Sequence, residues 1–418
     1  MNQLLKSLTI TNYRDKTYRS VLISCLLIMI LIGDILNQAL NYITLHLPAQ
    51  STDFINYATW ANIAPSLPFM LSILISYAVN NLRYRKLTLS VFILSLCGCL
   101  LLVSLSVQQF FLLSIIIAFI GFMYRAVYFS LDRQLSVILV DRIYDFQGDI
   151  LLWGSLLGAI NIKLSSYLYT HYQLTGLAIY FAIGNCLLYY FLRQIPPVDV
   201  VEQQITKQKA LLNPIQVISV LVKFPRFMVY ILIMAIFMLI GGSSNLLLMT
   251  KIHQEQIVLD TYTTLLSFSM LISVVSAMVS KINLFRHLQY QYMLALFLLI
   301  SSGLTMLMAL SPHVSVFAIS FILLSGLNGI IFINMNSLLF EHIRQDNKLI
   351  SLSPLINGLI ASLFYGVSLL GQLGTNIALH FNIGYGQIYL ICALAMLVLS
   401  FGLFYLKSPQ NTLALNEA

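Results

Sequence analysis

The sequence predicts an all-α protein that crosses a membrane twelve times. Three observations predict it: an apolar, charge-poor composition, apolar runs of spanning length, and a one-sided distribution of Lys and Arg. Of the 418 residues, 59% are apolar and 9% charged, and mean hydropathy is +0.88. A soluble domain carries about 25% charged residues. The composition therefore excludes a soluble globular protein, a disordered chain and a nucleic-acid binder with exposed basic faces.

Runs of about 18 or more apolar residues mark spans, and twelve can be read along the chain. In the first half they are 21–43, 55–79, 87–107, 110–131, 150–169 and 175–192. In the second half they are 227–249, 261–279, 292–310, 314–339, 355–379 and 387–406. No water satisfies backbone groups in lipid, so each run is expected to be a helix. The first run follows a polar stretch and is too long for a cleaved leader, so it reads as a retained span. Pro65 and Pro68 predict a bend in span 2. Gly326, Gly329, Gly366, Gly371 and Gly374 predict close helix contacts.

Nineteen of the 22 Lys and Arg residues fall before span 1, after span 12 or in alternate loops, all on one side. Arg125 and Lys163 lie within spans, and Lys251 alone reads as a loop residue of the opposite side. By the positive-inside rule both termini are cytoplasmic. The same bias accounts for the net charge of +8 without a nucleic-acid partner. A six-helix bundle at 1–192, a cytoplasmic loop at 193–226 and a second bundle at 227–418 follow. Residues 213–223 read equally well as an interfacial helix or a plain linker. The five cysteines all lie in apolar runs, so no disulfide framework is implied. No histidine pair has metal-ligand spacing, no phosphate-binding loop occurs, and no cofactor is expected.

Residues 29–40, MILIGDILNQAL, and 237–248, FMLIGGSSNLLL, share five of twelve positions at an offset of 208, including Gly33/Gly241 and Asn37/Asn245. That offset superposes span 1 on span 7. Two such halves form a transporter plan with a site near the midplane. The loop after span 2 runs Ser76-Tyr-Ala-Val-Asn80-Asn81-Leu-Arg83-Tyr-Arg85-Lys86. With the repeat and the span count, it resembles the major facilitator superfamily over the whole chain. The superfamily's loop reads Gly-x-x-x-Asp-Arg-x-Gly-Arg-Arg. Arg85 matches its last Arg, while Ser76, Asn80, Asn81 and Arg83 replace other members. The resemblance implies a cytoplasmic gating loop at Asn80, Arg83, Arg85 and Lys86, thinned in charge, and a cavity lined by spans 1, 4, 7 and 10. Ile32-Gly33-Asp34, with Val137 to Asp141 and Gly148, is similar to the macrolide-efflux-like exporters. That likeness implies an efflux antiporter in a bacterial plasma membrane.

A charge inside a span costs at least about 2.5–3.5 kcal/mol. Asp34 lies near the midplane of span 1, and Asn37, Gln38 and Asn41 follow it on one helical face. It reads as a proton-binding or substrate-binding carboxylate, or as a structural Asp capped by the neighbouring amides, and is the proton-coupling candidate. Arg125 in span 4 reads as its counter-ion, as a contact for an anionic substrate group, or as an arginine reaching for the interface. Lys163 in span 5 carries the same ambiguity. Asn37, Asn41, Trp60, Asn245 and Tyr365 complete the cavity candidates, with aromatic packing as the alternative for the rings. The expected function is secondary active transport by alternating access, most simply proton-coupled efflux of a small amphipathic solute by a monomer. A non-transporting sensor or immunity protein on the same fold, and a membrane-embedded transferase, are the alternatives; no enzymatic chemistry is expected.

Overall fold

The computed structural model describes residues 15–31, 37–46, 54–79, 82–104, 109–138, 143–196, 225–255, 259–281, 290–311, 313–344 and 353–405. These residues form helices and no strands. In chain order they are α1 (Lys16–Met29), α2 (Asn37–Leu45), α3 (Phe54–Met70), α4 (Ser72–Val79), α5 (Tyr84–Ser104), α6 (Phe110–Ile138) and α7 (Ile143–Gln194). The second half contributes α8 (Pro225–Gln254), α9 (Leu259–Lys281), α10 (Tyr290–Leu310), α11 (Val314–Arg344), α12 (Ser353–His380) and α13 (Tyr385–Tyr405). Several of these helices are long and apolar enough to cross a membrane, and the chain is a multi-pass, all-α membrane protein of two six-helix bundles.

Span 1 begins where Asp15 caps α1, its carboxylate accepting from the backbone N–H of Thr17 at 2.9 Å and Tyr18 at 3.4 Å. The helix widens into a π-turn at Ile30 and Leu31, and α2 also falls within the run read as span 1. Span 2 consists of α3 and α4, bent by 41°. Pro65 and Pro68 lie on the α3 side of the bend: neither has an N–H to donate, and their rings crowd the carbonyls one turn back, at Ala61 and Ala64. The bend falls at Leu71, within a turn of Pro68.

Spans 5 and 6 are both carried by α7. A straight helix of 52 residues would be about 78 Å long, far more than a bilayer spans. It folds back at Gln173, where φ is 51° and ψ −142°. The hydroxyl of Tyr180 donates to Asn161 Oδ1 at 2.7 Å across the resulting hairpin. Gly176 makes the turn possible, because a Cβ there would meet Tyr172 Cβ at 2.7 Å and the Leu168 carbonyl oxygen at 3.0 Å.

The sequence reading ends span 7 at residue 249 and puts Lys251 in a loop. The helix instead runs on to Gln254, and Lys251 is buried on its last turn.

One face of the molecule, here the near face, holds the start of α1 and the end of α13; the distal face holds the α2, α3, α8 and α12 ends at Leu45, Phe54, Gln254 and His380. A continuous core runs from Tyr18 to Ile195 in the first half. Two further cores lie within residues 231–403. The halves meet along two seams: α12 lies along α3 and α4, and α9 lies along α7. Within the second half, α8 and α12 approach backbone to backbone. A Cβ on Gly242 would collide with the Ser368 carbonyl, and one on Gly371 with the Leu239 carbonyl. Gly371 thus supplies the expected close contact, whereas a Cβ on Gly374 would meet open space.

Candidate functional site

The break in span 2 organises the site. At the break the N–H of Ile73 donates to Ser362 Oγ at 2.8 Å. Ser362 belongs to α12, in the other half. A neighbouring hydroxyl is a suitable acceptor for a backbone N–H at a break in a membrane helix. Gly121 lets α6 close on the same point, since a Cβ there would meet Pro68 Cγ at 2.7 Å.

One turn further along α6, Arg125 reaches the break. Its Nε donates to Ser72 Oγ at 3.0 Å. Its guanidinium lies over three rings: Phe69 at 4.6 Å, Tyr128 at 4.9 Å and Phe129 at 4.6 Å. Such contacts stabilise a desolvated cation by about 0.5–2 kcal/mol each. Phe69 in turn stacks on Tyr365 of α12, centroids 4.4 Å apart and planes 24° apart. By rise along α6, Arg125 lies roughly 7 Å to the near side of the midplane. The result is a partly buried cation on an aromatic shelf, built from spans 2, 4 and 11 and straddling the two halves. This suits an amphipathic solute, with the rings taking its apolar surface and the fixed guanidinium orienting a polar group.

Of the expected cavity residues, the structure brings Arg125 and Tyr365 together. Trp60 is exposed near the distal end of α3, edge-on to exposed Phe111 at 6.1 Å; that is the setting of an interfacial aromatic. Lys163 lies on the distal part of the α7–α9 seam. Its Nζ donates to Asp260 Oδ1 at 2.8 Å, and Thr264 Oγ1 accepts from it at 2.5 Å. Asn41 is buried beside Tyr262 with its Oδ1 unpartnered, and Gln38 Oε1 is likewise buried and unpartnered. Arg83, Arg85 and Lys86 are exposed around the start of α5. Asp34, Asn80 and the side chains of Asn37 and Asn245 lie outside the described residues. No group of three metal-ligating side chains occurs among the described residues.

Sequence reasoning passed over Phe69, Asp149 and Lys251. Asp149 is buried, and its Oδ2 accepts from the Tyr18 hydroxyl at 2.6 Å, tying span 5 to span 1. The signal for Phe69 and Ser72 was available: both flank the turn after Pro68.

On the distal face the halves are closed together. Phe54, Ala58, Leu246 and Met249 form one buried apolar cluster, with Leu45 and Ile55 packed on it. The Phe54 and His253 rings stack at 3.6 Å. Around this plug, Asn376 Nδ2 donates to Thr59 Oγ1 at 2.7 Å, and His380 Nε2 bonds Asn56 Oδ1 at 3.2 Å.

No family profile and no curated relative matches the sequence. Solved structures do match. A variant of the nucleoside transporter NupG is similar over 93% of this chain and 99% of its own, with 16% identity and a TM-score of 0.65. The human organic anion transporter MFSD10 (TETRAN) is similar over 93% and 99%, with 12% identity and a TM-score of 0.62. A D-xylose-proton symporter is similar over 91% and 96%, with 12% identity and a TM-score of 0.62. At these identities the likeness is one of fold, and it extends end to end: the chain has the fold of the major facilitator superfamily transporters.

Proposed function

We propose that this protein is a secondary transporter that works by alternating access, exporting a small amphipathic solute across the plasma membrane in exchange for protons. The observation that carries the reading is the Arg125 shelf. A cation stacked on rings, at a helix break on the seam between two halves, is suited to bind a solute and to change shape when the halves move. Structures of the same fold include proteins named for transporting nucleosides, organic anions and D-xylose with protons, which supports a small organic solute. Residues 1–192 and 227–418 are the moving halves, joined by 193–226, and the monomer suffices. The distal face is external and both termini are cytoplasmic, as the Lys and Arg distribution directs. In this assignment the structure is closed to the outside by its apolar plug. Asp34 carries the proton, Arg125 is its counter-ion or the solute's contact, and the loop at Asn80, Arg83, Arg85 and Lys86 gates the cytoplasmic side.

The testing experiment is a toxicity and uptake screen in a transporter-deleted host, followed by counterflow of any hit in proteoliposomes. Solute exchange by the wild type, weakened by Arg125→Ala, is the expected result. Absence of counterflow for every solute to which the protein confers resistance would remove the transporter reading.

A further inference from the structure

Lys251 is a buried cation with no part in the shelf. It sits on the last turn of α8, 3% exposed. Its Nζ donates to Glu255 Oε1 at 2.6 Å and to the Tyr385 hydroxyl at 2.8 Å, and it stands 4.7 Å from the centre of the Tyr385 ring. The backbone N–H of Glu255 donates to the Lys251 carbonyl at 3.0 Å, closing the turn. A cation also complements the negative end of the helix dipole there. Every interaction of the ammonium thus holds the distal end of α8 in shape or fastens it to α13.

The opposite side of the same two turns closes the distal mouth. At 3.6 residues per turn, Leu246, Met249 and His253 fall within about 60° of one another, and Lys251 points roughly the other way. Leu246 and Met249 belong to the plug, His253 stacks on Phe54, and Met249 Sδ accepts from Asn62 Nδ2 at 3.5 Å. The end of α8 is therefore pressed between α13 behind and α3 in front. α3 belongs to the other half, while α13 belongs to the same half as α8.

We propose that Lys251 is a positioning residue for the distal gate. Its contacts with Glu255 and Tyr385 back the gate face of α8 with a rigid support, so that Leu246, Met249 and His253 meet α3 whenever the halves close. The sequence placed Lys251 in a loop; its burial on a helix, opposite the plug, is what assigns the role. Removing the ammonium leaves Glu255 free to turn to water, since that side chain is 38% exposed. The last turn of α8 then frays, and the plug loses its backing.

The inference rests on the transporter reading only in requiring that the halves move, and its test reads conformation rather than transport. Spin labels are placed at His171→Cys and Phe381→Cys, exposed distal positions in the first and second halves, with the exposed Cys97 and Cys186 changed to Ser. Distances are measured in liposomes. The expected result is a single distance population in the parent and a second, longer population in Lys251→Met. Tyr385→Phe, which keeps the ring and loses one hydrogen bond, should show a smaller longer population and decides the matter if Lys251→Met does not fold. Parent-like distances in a folded Lys251→Met, or in Tyr385→Phe where that variant decides, would overturn the proposal. If the longer population appears but the parent shows no counterflow, the gate stands and the transporter reading falls. If the parent shows counterflow and the variants keep its distances, transport stands and the gate role of Lys251 falls.

Discussion

Arg125 is a residue whose geometry makes two of its properties separable. Its charge serves any anionic neighbour, whereas its planarity serves the ring contacts at 4.6, 4.9 and 4.6 Å and the Nε bond to Ser72. Lysine keeps the charge and loses the plane and the fork. Arg125→Lys should therefore weaken apparent solute affinity by roughly two- to thirty-fold, the equivalent of about 0.5–2 kcal/mol, without changing the pH at which counterflow peaks. Arg125→Ala removes the charge as well. If the guanidinium is the counter-ion of Asp34, the carboxyl then holds its proton to higher pH, and the optimum moves alkaline or transport stops. Counterflow across a pH series separates the two variants, and an unmoved optimum in Arg125→Ala would favour a solute contact over a counter-ion. Lys163 gives a contrasting case. Its pair with Asp260 is solvent-exposed on both sides, 38% and 82%, and such pairs contribute about 0–1 kcal/mol. Lys163→Met should leave thermal stability within about that margin. A loss of solute affinity would restore Lys163 to the binding site.

Helix elements were legible in the sequence to the extent that hydropathy and proline determine them. Runs long enough to span, and the bend after Pro65 and Pro68, follow from composition and backbone chemistry alone. Three features did not, each for a physical reason. A hydropathy run ends at the first charge, so Lys251 marks the end of span 7 by sequence, while in the fold the helix continues and the ammonium is paired. Between spans 5 and 6 the sequence suggests a loop, but a single positive-φ residue at Gln173 makes the turn, and Gln is not a turn-marking residue. The third feature is the partner of the span 2 break, Ser362, which is 289 residues from Ile73 and cannot be found locally. That last contact yields a prediction. Ser362→Ala leaves the part-buried Ile73 N–H without its acceptor, at a cost of up to about 1–3 kcal/mol. Ser362→Thr should retain most of it. Ser66→Ala, whose hydroxyl only bonds its own helix at Asn62, should cost far less, and thermal unfolding in detergent ranks the three. The α8–α12 contact gives a second. Gly371→Ala forces a Cβ against the Leu239 carbonyl, and overpacking of this kind costs about 1–3 kcal/mol. Gly374→Ala, which faces open space, should be tolerated in the same assay.

At the scale of the whole molecule, closure and chemistry lie at different depths. The distal plug joins the halves through Phe54, Ala58, Leu246 and Met249, while the Arg125 shelf joins them through Phe69 and Tyr365 deeper in the bilayer. The proposed proton-coupled cycle requires a group whose charge state tells the halves when to close, and Asp34 is the candidate. A carboxylate near the midplane is unfavourable when ionised and nearly neutral when protonated. In the proposed cycle, protonation would let the empty cavity close around it, and loss of the proton on the other side would restore the charge that readies the site for solute. Asn keeps the shape and the hydrogen-bonding edge of the carboxyl but cannot titrate. Asp34→Asn should therefore insert and fold normally, bind solute, exchange it down its own gradient, and fail to accumulate it against one. The measurement is transport in proteoliposomes under a series of imposed pH differences, with exchange measured in the same vesicles. Uphill transport by Asp34→Asn with the parent's pH dependence would show that the proton travels by another group. Asp149 is then the next to test: it is a buried carboxylate bonded to Tyr18 at the near end of span 5, so Asp149→Asn rather than Asp34→Asn would be the variant that uncouples.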